Sequence, residues 1–173
     1  MTDKKEKILT AALELFAQDG YNATSTSKIA KEAGVSEGLI FRHFQNKKGL
    51  LDALVADAER KLGELLSTII FEPSPQQVIR KSIEMPFLVP EEEQDFWKLQ
   101  FKIKWEQEYN NPDKLKPLID KLSWAFSQLG YEKPEQEAIL LNQILDAMSI
   151  SVLRDGATLD EPYKEFLLQK YNV

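Results

Sequence analysis

Cysteine is absent from this chain of 173 residues, and a single histidine, His43, stands among them. Without thiols there is neither a disulfide frame nor a thiolate metal site. One imidazole cannot assemble the several ligands a metal needs at set spacing. As a catalytic base it would need a nucleophile or an orienting carboxylate, and nothing nearby in sequence offers one. No apolar run approaches the ~20 residues of a membrane span. The opening Met-Thr-Asp-Lys-Lys-Glu-Lys lacks the apolar core of a signal peptide. Neither βαβ alternation nor a hairpin signal such as Asn-Gly appears, and there is no internal repeat or low-complexity tract. These absences predict a cytoplasmic protein that is no enzyme, with no metal, no cofactor and no membrane contact.

What is present is ordinary globular composition, 43% hydrophobic and 29% charged, with its charge unevenly placed. The net charge is -6, which argues against a duplex as partner. Yet residues 1–50 hold eight Lys/Arg against six acids, a net +2 that leaves -8 to the rest. A mildly basic head on an acidic body suits a protein that touches nucleic acid at one end.

The pattern is helical throughout. Asp3 with Glu6 resembles a capping box, and Ile8, Ala12, Leu13 and Phe16 follow at helical spacing until Gly20. A second helix starts near Thr26 and turns at Gly34, where a positive φ is needed. Ser36 is placed to cap a third, with Ile40 and Phe44 on its inner face. Asn46 is placed to cap a long fourth helix running from Leu50 to Ile69 and ended by Pro73 and Pro75. Further helices are predicted at about 75–85, 91–110, 113–129, 134–154 and 160–171. The expected division is a head of residues 1–46 and a body of residues 47–173, all-α, with the fourth helix joining them.

The two short helices around Gly34 have the form of a helix-turn-helix, which lays its second helix in the DNA major groove. With Ile40 and Phe44 inward, Ser36, Glu37, Gly38, Leu39, Arg42 and His43 face outward, and Phe41 lies on the flank. Gly38 allows close approach of a backbone at a cost of roughly 1 kcal/mol in helix propensity. Thr26 and Lys47 stand at helix starts, where phosphate is favoured, and Lys48 adds positive charge beside them. An ordinary helical hairpin with a solvated polar face is the plainer alternative.

In the body, Trp97, Phe101 and Trp105 are spaced i, i+4, i+8, and Met85, Trp124, Asn142 and Met148 are candidates to join them around an apolar pocket. Ordinary core is the plainer reading of any one of these. The segment from Glu135 to Leu153 carries a wide apolar stripe, which fits internal core as well as pairing. Ile144, Met148 and Val152, with Phe166 from the last helix, are the residues expected at a dimer interface.

The run from Ile8 to Leu51 contains Ala-Ala-Leu-Glu-Leu-Phe-Ala, Gly-Tyr-Asn-Ala-Thr-Ser, Ile-Ala-Lys-Glu-Ala-Gly-Val-Ser-Glu-Gly and Phe-Arg-His-Phe-Gln-Asn-Lys-Lys-Gly-Leu-Leu. It resembles the DNA-binding domain of the tetracycline-repressor (TetR) family. The resemblance implies three N-terminal helices for double-stranded DNA and a helical body that forms a homodimer and usually binds a small molecule. It implies control of transcription, most often repression, with release from a near-palindromic operator by a small effector, here expected to be apolar or aromatic. A body that docks a protein partner instead is the rival reading. Thr26, Ser36, Gly38, Arg42, His43 and Lys47 match positions that contact DNA in the family. Phe41 stands where the family usually has Tyr, so a hydroxyl for phosphate is missing. Lys48 and Gly49 stand where acids are more usual.

Overall fold

The computed structural model describes residues 2–88, Glu93, Phe96, Trp97, Leu99, 112–155 and 161–173. Every described element is helical. The order is α1 (Thr2–Asp19), α2 (Thr26–Glu32), α3 (Glu37–Phe44), α4 (Lys47–Ile70), α5 (Pro75–Glu84), a 3-10 turn Met85–Leu88, a second Pro112–Leu115, then α6 (Lys116–Gln128), α7 (Pro134–Asp155) and α8 (Glu161–Tyr171). The expected helix over 91–110 lies largely outside the described residues.

The chain divides into two compact units, one holding residues through Lys61 and the described Glu93, Phe96, Trp97 and Leu99, the other holding Leu62 onward with the remaining helices. The head therefore extends further along the chain than residue 46. The reason is visible in α4, where Leu50, Leu51, Leu54, Val55 and Ala58 are all buried. Apolar residues at that spacing remove one face of the helix from water, and the helices before α4 alone offer too little core.

Within the head, Ile8, Ala11, Ala12, Leu15 and Phe16 form the buried stripe of α1. α2 packs on both α1 and α3. Asp3 does not act as a cap, because α1 already begins at Thr2; its carboxylate instead accepts from Lys7 Nζ at 3.0 Å, one turn on. Thr24 is buried between α1 and α2, and its hydroxyl meets the carbonyl oxygens of Gly20 at 2.9 Å and Leu15 at 3.2 Å. That closes the end of α1 onto the loop that follows it.

In the second unit, α5 packs against α6 and α8, and α6 against α7. Ser74 caps α5 by accepting from the Gln77 N–H, with Pro75 in the first turn where a missing N–H costs nothing. Leu66, Ile69, Val78, Ile83, Phe126, Leu141, Leu145, Met148 and Leu167 belong to one continuous buried core.

Tyr171 closes that core beside Phe126, ring centroids 5.4 Å apart, and its buried hydroxyl has no partner among the described residues. Burial, with Glu137 and Tyr131 nearby, pushes its ionisation up to about 12. A phenol that ionises at higher pH in the folded chain contributes stability fully below its unfolded value of about 10. That contribution is lost as pH rises through the folded value. Tyr171→Phe is therefore expected to leave stability at neutral pH within about 1 kcal/mol of wild type, since no hydrogen bond is lost. It should also flatten the fall in stability between about pH 10 and 12. Urea unfolding at pH 8 and pH 11 checks both, and an unchanged alkaline slope would contradict the assignment.

Candidate nucleic-acid interface

The turn between α2 and α3 is built by the backbone. α2 begins at Thr26, as expected, and is capped by the residue before it, Ser25, with the Lys28 N–H donating to Ser25 Oγ at 3.1 Å. At its other end Gly34 has φ +64, and two bonds close the exit: Gly34 N–H to Lys31 O at 3.2 Å and Val35 N–H to Ala30 O at 2.9 Å. This crossed pair is the Schellman closure, and its left-handed residue is best supplied by glycine. Ser36 holds the N-cap position of α3 but its side chain makes no cap bond. Its exposed hydroxyl is thus available to other acceptors.

α3 sorts its residues by the 3.6 period. Ile40 and Phe44 are buried, as the spacing predicts. Ser36, Gly38, Phe41 and Arg42 are exposed, and Glu37, Leu39 and His43 are half-buried. Phe41 is 45% exposed, so it belongs to the outer surface more than to a flank. No acid among the described residues pairs with Arg42. A Cβ at Gly38 would meet no atom within 4 Å, so nothing inside the chain requires glycine there. The helix gives up propensity for an open position, which is useful only if something outside must come close.

Gly49 is the opposite case. A Cβ there would fall on the Phe44 carbonyl oxygen. The joint between α3 and α4 is tight: Gln45 has φ 68, and the Asn46 N–H returns to Phe44 O at 2.8 Å. Asn46 Oδ1 then accepts from the Gly49 N–H at 2.8 Å, the cap foreseen for α4. Glycine at 49 leaves room for the Phe44 carbonyl where α4 starts close to the end of α3.

The polar residues expected at DNA are already partly engaged. Thr26 Oγ1 donates to Glu37 Oε1 at 2.6 Å, joining the first residue of α2 to the first of α3. Lys48 Nζ lies 3.1 Å from Asp52 Oδ1, an exposed i, i+4 pair worth at most a few tenths of a kcal/mol. Lys47 is held more firmly. Its ammonium donates to Tyr21 O at 3.0 Å and Thr24 O at 3.1 Å, and sits 4.3 Å from the Tyr21 ring centre. The side chain expected at phosphate ties the start of α4 to the α1–α2 loop. Sequence reasoning passed over Thr24, Tyr21 and Ser25, although all lie in or beside the quoted Gly-Tyr-Asn-Ala-Thr-Ser motif.

Lys47→Ala is accordingly expected to lower stability by about 2–3 kcal/mol, because two charge-assisted hydrogen bonds and a ring contact go together. A free phosphate contact would instead leave stability unchanged. An unchanged unfolding midpoint would contradict the tie.

Of the residues expected around a ligand pocket, Met85, Trp124, Asn142 and Met148 fall in the second unit and Trp97 in the first. Met148 lies in the body core with Met85 packed against that core. Asn142 is half-buried, and Trp124 faces solvent under the Lys121 ammonium, 3.9 Å from its ring centre. Trp97 belongs to the other unit, where its indole N–H donates to Glu93 Oε2 at 3.2 Å while Glu93 Oε1 meets Lys61 at 3.2 Å. Phe101 and Trp105 lie outside the described residues. A cleft of about 640 Å³ is present at the α6–α7 turn, lined by Ser123, Trp124, Ser127 and 132–136, and it is open and polar.

The interface residues are also redistributed. Ala138, Leu141, Leu145 and Met148 recur at 3-4-3 spacing and fill the inner face of α7, so Met148 is not free for a second chain. Ile144 is half-buried against the same core, and the Val152 side chain lies outside the described residues. Among the described residues of α7 and α8, the large apolar side chains left outward are Ile139 (47% exposed), Leu140 (44%), Tyr163 and Phe166 (57%). The last two stack, ring centroids 6.3 Å apart.

Residues 8–54 match the family described as bacterial regulatory proteins, tetR family. The HTH-type transcriptional regulator YvkB of Bacillus subtilis is 44% identical over 66 residues, covering 38% of this chain and 35% of that protein. The chain spans about a third of the length of the curated relatives it matches. Over nearly its whole length it shares a fold with solved structures. A TetR-like transcriptional regulator from Rhodococcus sp. RHA1 superposes with a TM-score of 0.79 at 20% identity, over 98% of this chain and 95% of that one. NalD of Pseudomonas aeruginosa, the secondary repressor of the MexAB-OprM multidrug efflux pump, gives 0.71 at 24% identity, over 98% and 96%. The chain thus carries, over residues 8–54, the helix-turn-helix domain of the TetR family, on a chain with the fold of that family's regulators.

Proposed function

We propose that the protein is a homodimeric DNA-binding regulator of transcription, acting most simply as a repressor. The observation that carries this reading is the outer face of α3. Gly38 there is open where no packing needs glycine, and Arg42 and the Ser36 hydroxyl stand exposed beside it without internal partners among the described residues. A helix that keeps its donors free and its first turn thin is suited to a groove lined with acceptors. The named relatives are regulators rather than enzymes, which favours recognition over catalysis.

Pairing rests on the outward apolar residues of α7 and α8, which a second copy would cover. Two heads on one dimer read two half-sites about one helical turn apart, and an effector on the body shifts the population between spacings that fit and do not fit. The effector is a small molecule of apolar or aromatic character, and the site of action is the cytoplasm. No described helix is long and apolar enough to cross a membrane. A body that docks a protein partner is the second reading, favoured by the filled core of the described body and its exposed aromatic pair.

A salt titration on random duplex tests the reading. Binding should fall steeply as salt rises, with a log–log slope of several units from released counterions. A flat slope, or no binding at low salt, would contradict it.

A further inference from the structure

Glu37 is an unexpected residue on a face meant for DNA. It is the first residue of α3, half-buried, and its Oε1 accepts the only hydroxyl proton Thr26 has, at 2.6 Å. No lysine or arginine among the described residues is paired with it. The second carboxylate oxygen is left to whatever approaches the start of α3. A phosphodiester presents only acceptors and a negative charge, so it cannot bond to that oxygen and is repelled by it. It also cannot use the Thr26 hydroxyl as donor unless the pair breaks.

The base edges sort themselves by the same rule. In the major groove guanine offers N7 and O6, thymine offers O4, and adenine sets an acceptor N7 beside its amino group. Cytosine alone presents, on its own edge, an amino donor and no acceptor. We propose that Glu37, positioned by Thr26, determines specificity by exclusion: it weakens contact with every backbone and is compensated only where a half-site places a cytosine amino group beside it. Arg42 and Ser36 supply attraction to DNA of any sequence, and Glu37 subtracts from it. Thr26 is the positioning residue, since its hydroxyl fixes which oxygen is spent and which is free. The inference rests on the DNA-binding reading.

The test uses the full-length protein, its Glu37→Gln and Thr26→Val variants, a duplex selected by the wild type from a random pool, and an unselected duplex, across a range of KCl. Glu37→Gln should bind the unselected duplex about tenfold more tightly and lose roughly five- to a hundredfold in its preference for the selected one, the range of one base contact. Reselection with that variant should lose cytosine at one position of each half-site. Thr26→Val keeps the charge but frees the carboxylate; it should broaden the cytosine position without raising affinity for unselected DNA. Glu37→Gln with an unchanged preference and an unchanged selected cytosine would overturn the role while leaving DNA binding intact. A wild type with no salt-dependent binding would overturn both.

Discussion

Met148→Glu is expected to unfold the second unit of the chain rather than to separate a dimer. Met148 is 4% exposed and lies in the same buried core as Leu145, Phe126 and Leu167. A carboxylate placed there has no cation in that core to pair with, and a buried unpaired charge costs several kcal/mol even after relaxation. A domain of this size has a margin of about 5–15 kcal/mol in total. The variant should therefore show a urea midpoint far below wild type, or no folded baseline in circular dichroism. A soluble, folded monomer with the wild-type midpoint would return Met148 to the seam where sequence spacing first put it.

Leu140→Asp with Phe166→Asp should do the reverse. Both side chains are already outward, 44% and 57% exposed, so each new charge meets water in the single chain and stability should change by less than about 1 kcal/mol. Across a two-fold axis the same charges recur on both copies, where like charges and lost apolar area oppose association. Light scattering should report a monomer at concentrations where wild type is a dimer. Affinity for a two-half-site duplex should fall by about 10²–10⁴, the gain that linkage of two sites otherwise gives. A dimer that survives both substitutions would place the interface elsewhere.

These two outcomes follow from where sequence periodicity is decisive and where it is not. Ile40, Phe44 and Gly34 were legible because a short helix has one inner face and a sharp exit has one residue that tolerates its φ. The cap of α4 at Asn46 was legible for the same local reason. α7 was not: Ile139, Leu140, Leu141, Ile144, Leu145 and Met148 cover more than half of its circumference. Periodicity alone does not say which part of a wide stripe faces its own chain. Packing decided it, and Met148 went inward.

Lys47 and Glu37 carry internal bonds that periodicity does not disclose. A charged residue near a helix start reads as a free contact, and only the folded loop shows that Tyr21 O and Thr24 O turn toward Lys47, or that Thr26 reaches Glu37. All three bonds span residues far apart in sequence. The bond that holds the Trp97 indole to Glu93 is hidden from periodicity in the same way.

The central claim is that two copies of α3, held in one dimer, read two half-sites together. It is tested most directly by the affinity of the wild-type protein for a selected near-palindrome and for the same duplex with about half a helical turn, roughly 5 bp, inserted at its centre. Rotating one half-site to the opposite side of the duplex should drop affinity to that of a single half-site, a loss of about 10²-fold or more. Equal affinity for the intact, the interrupted and the single half-site duplex would contradict the account.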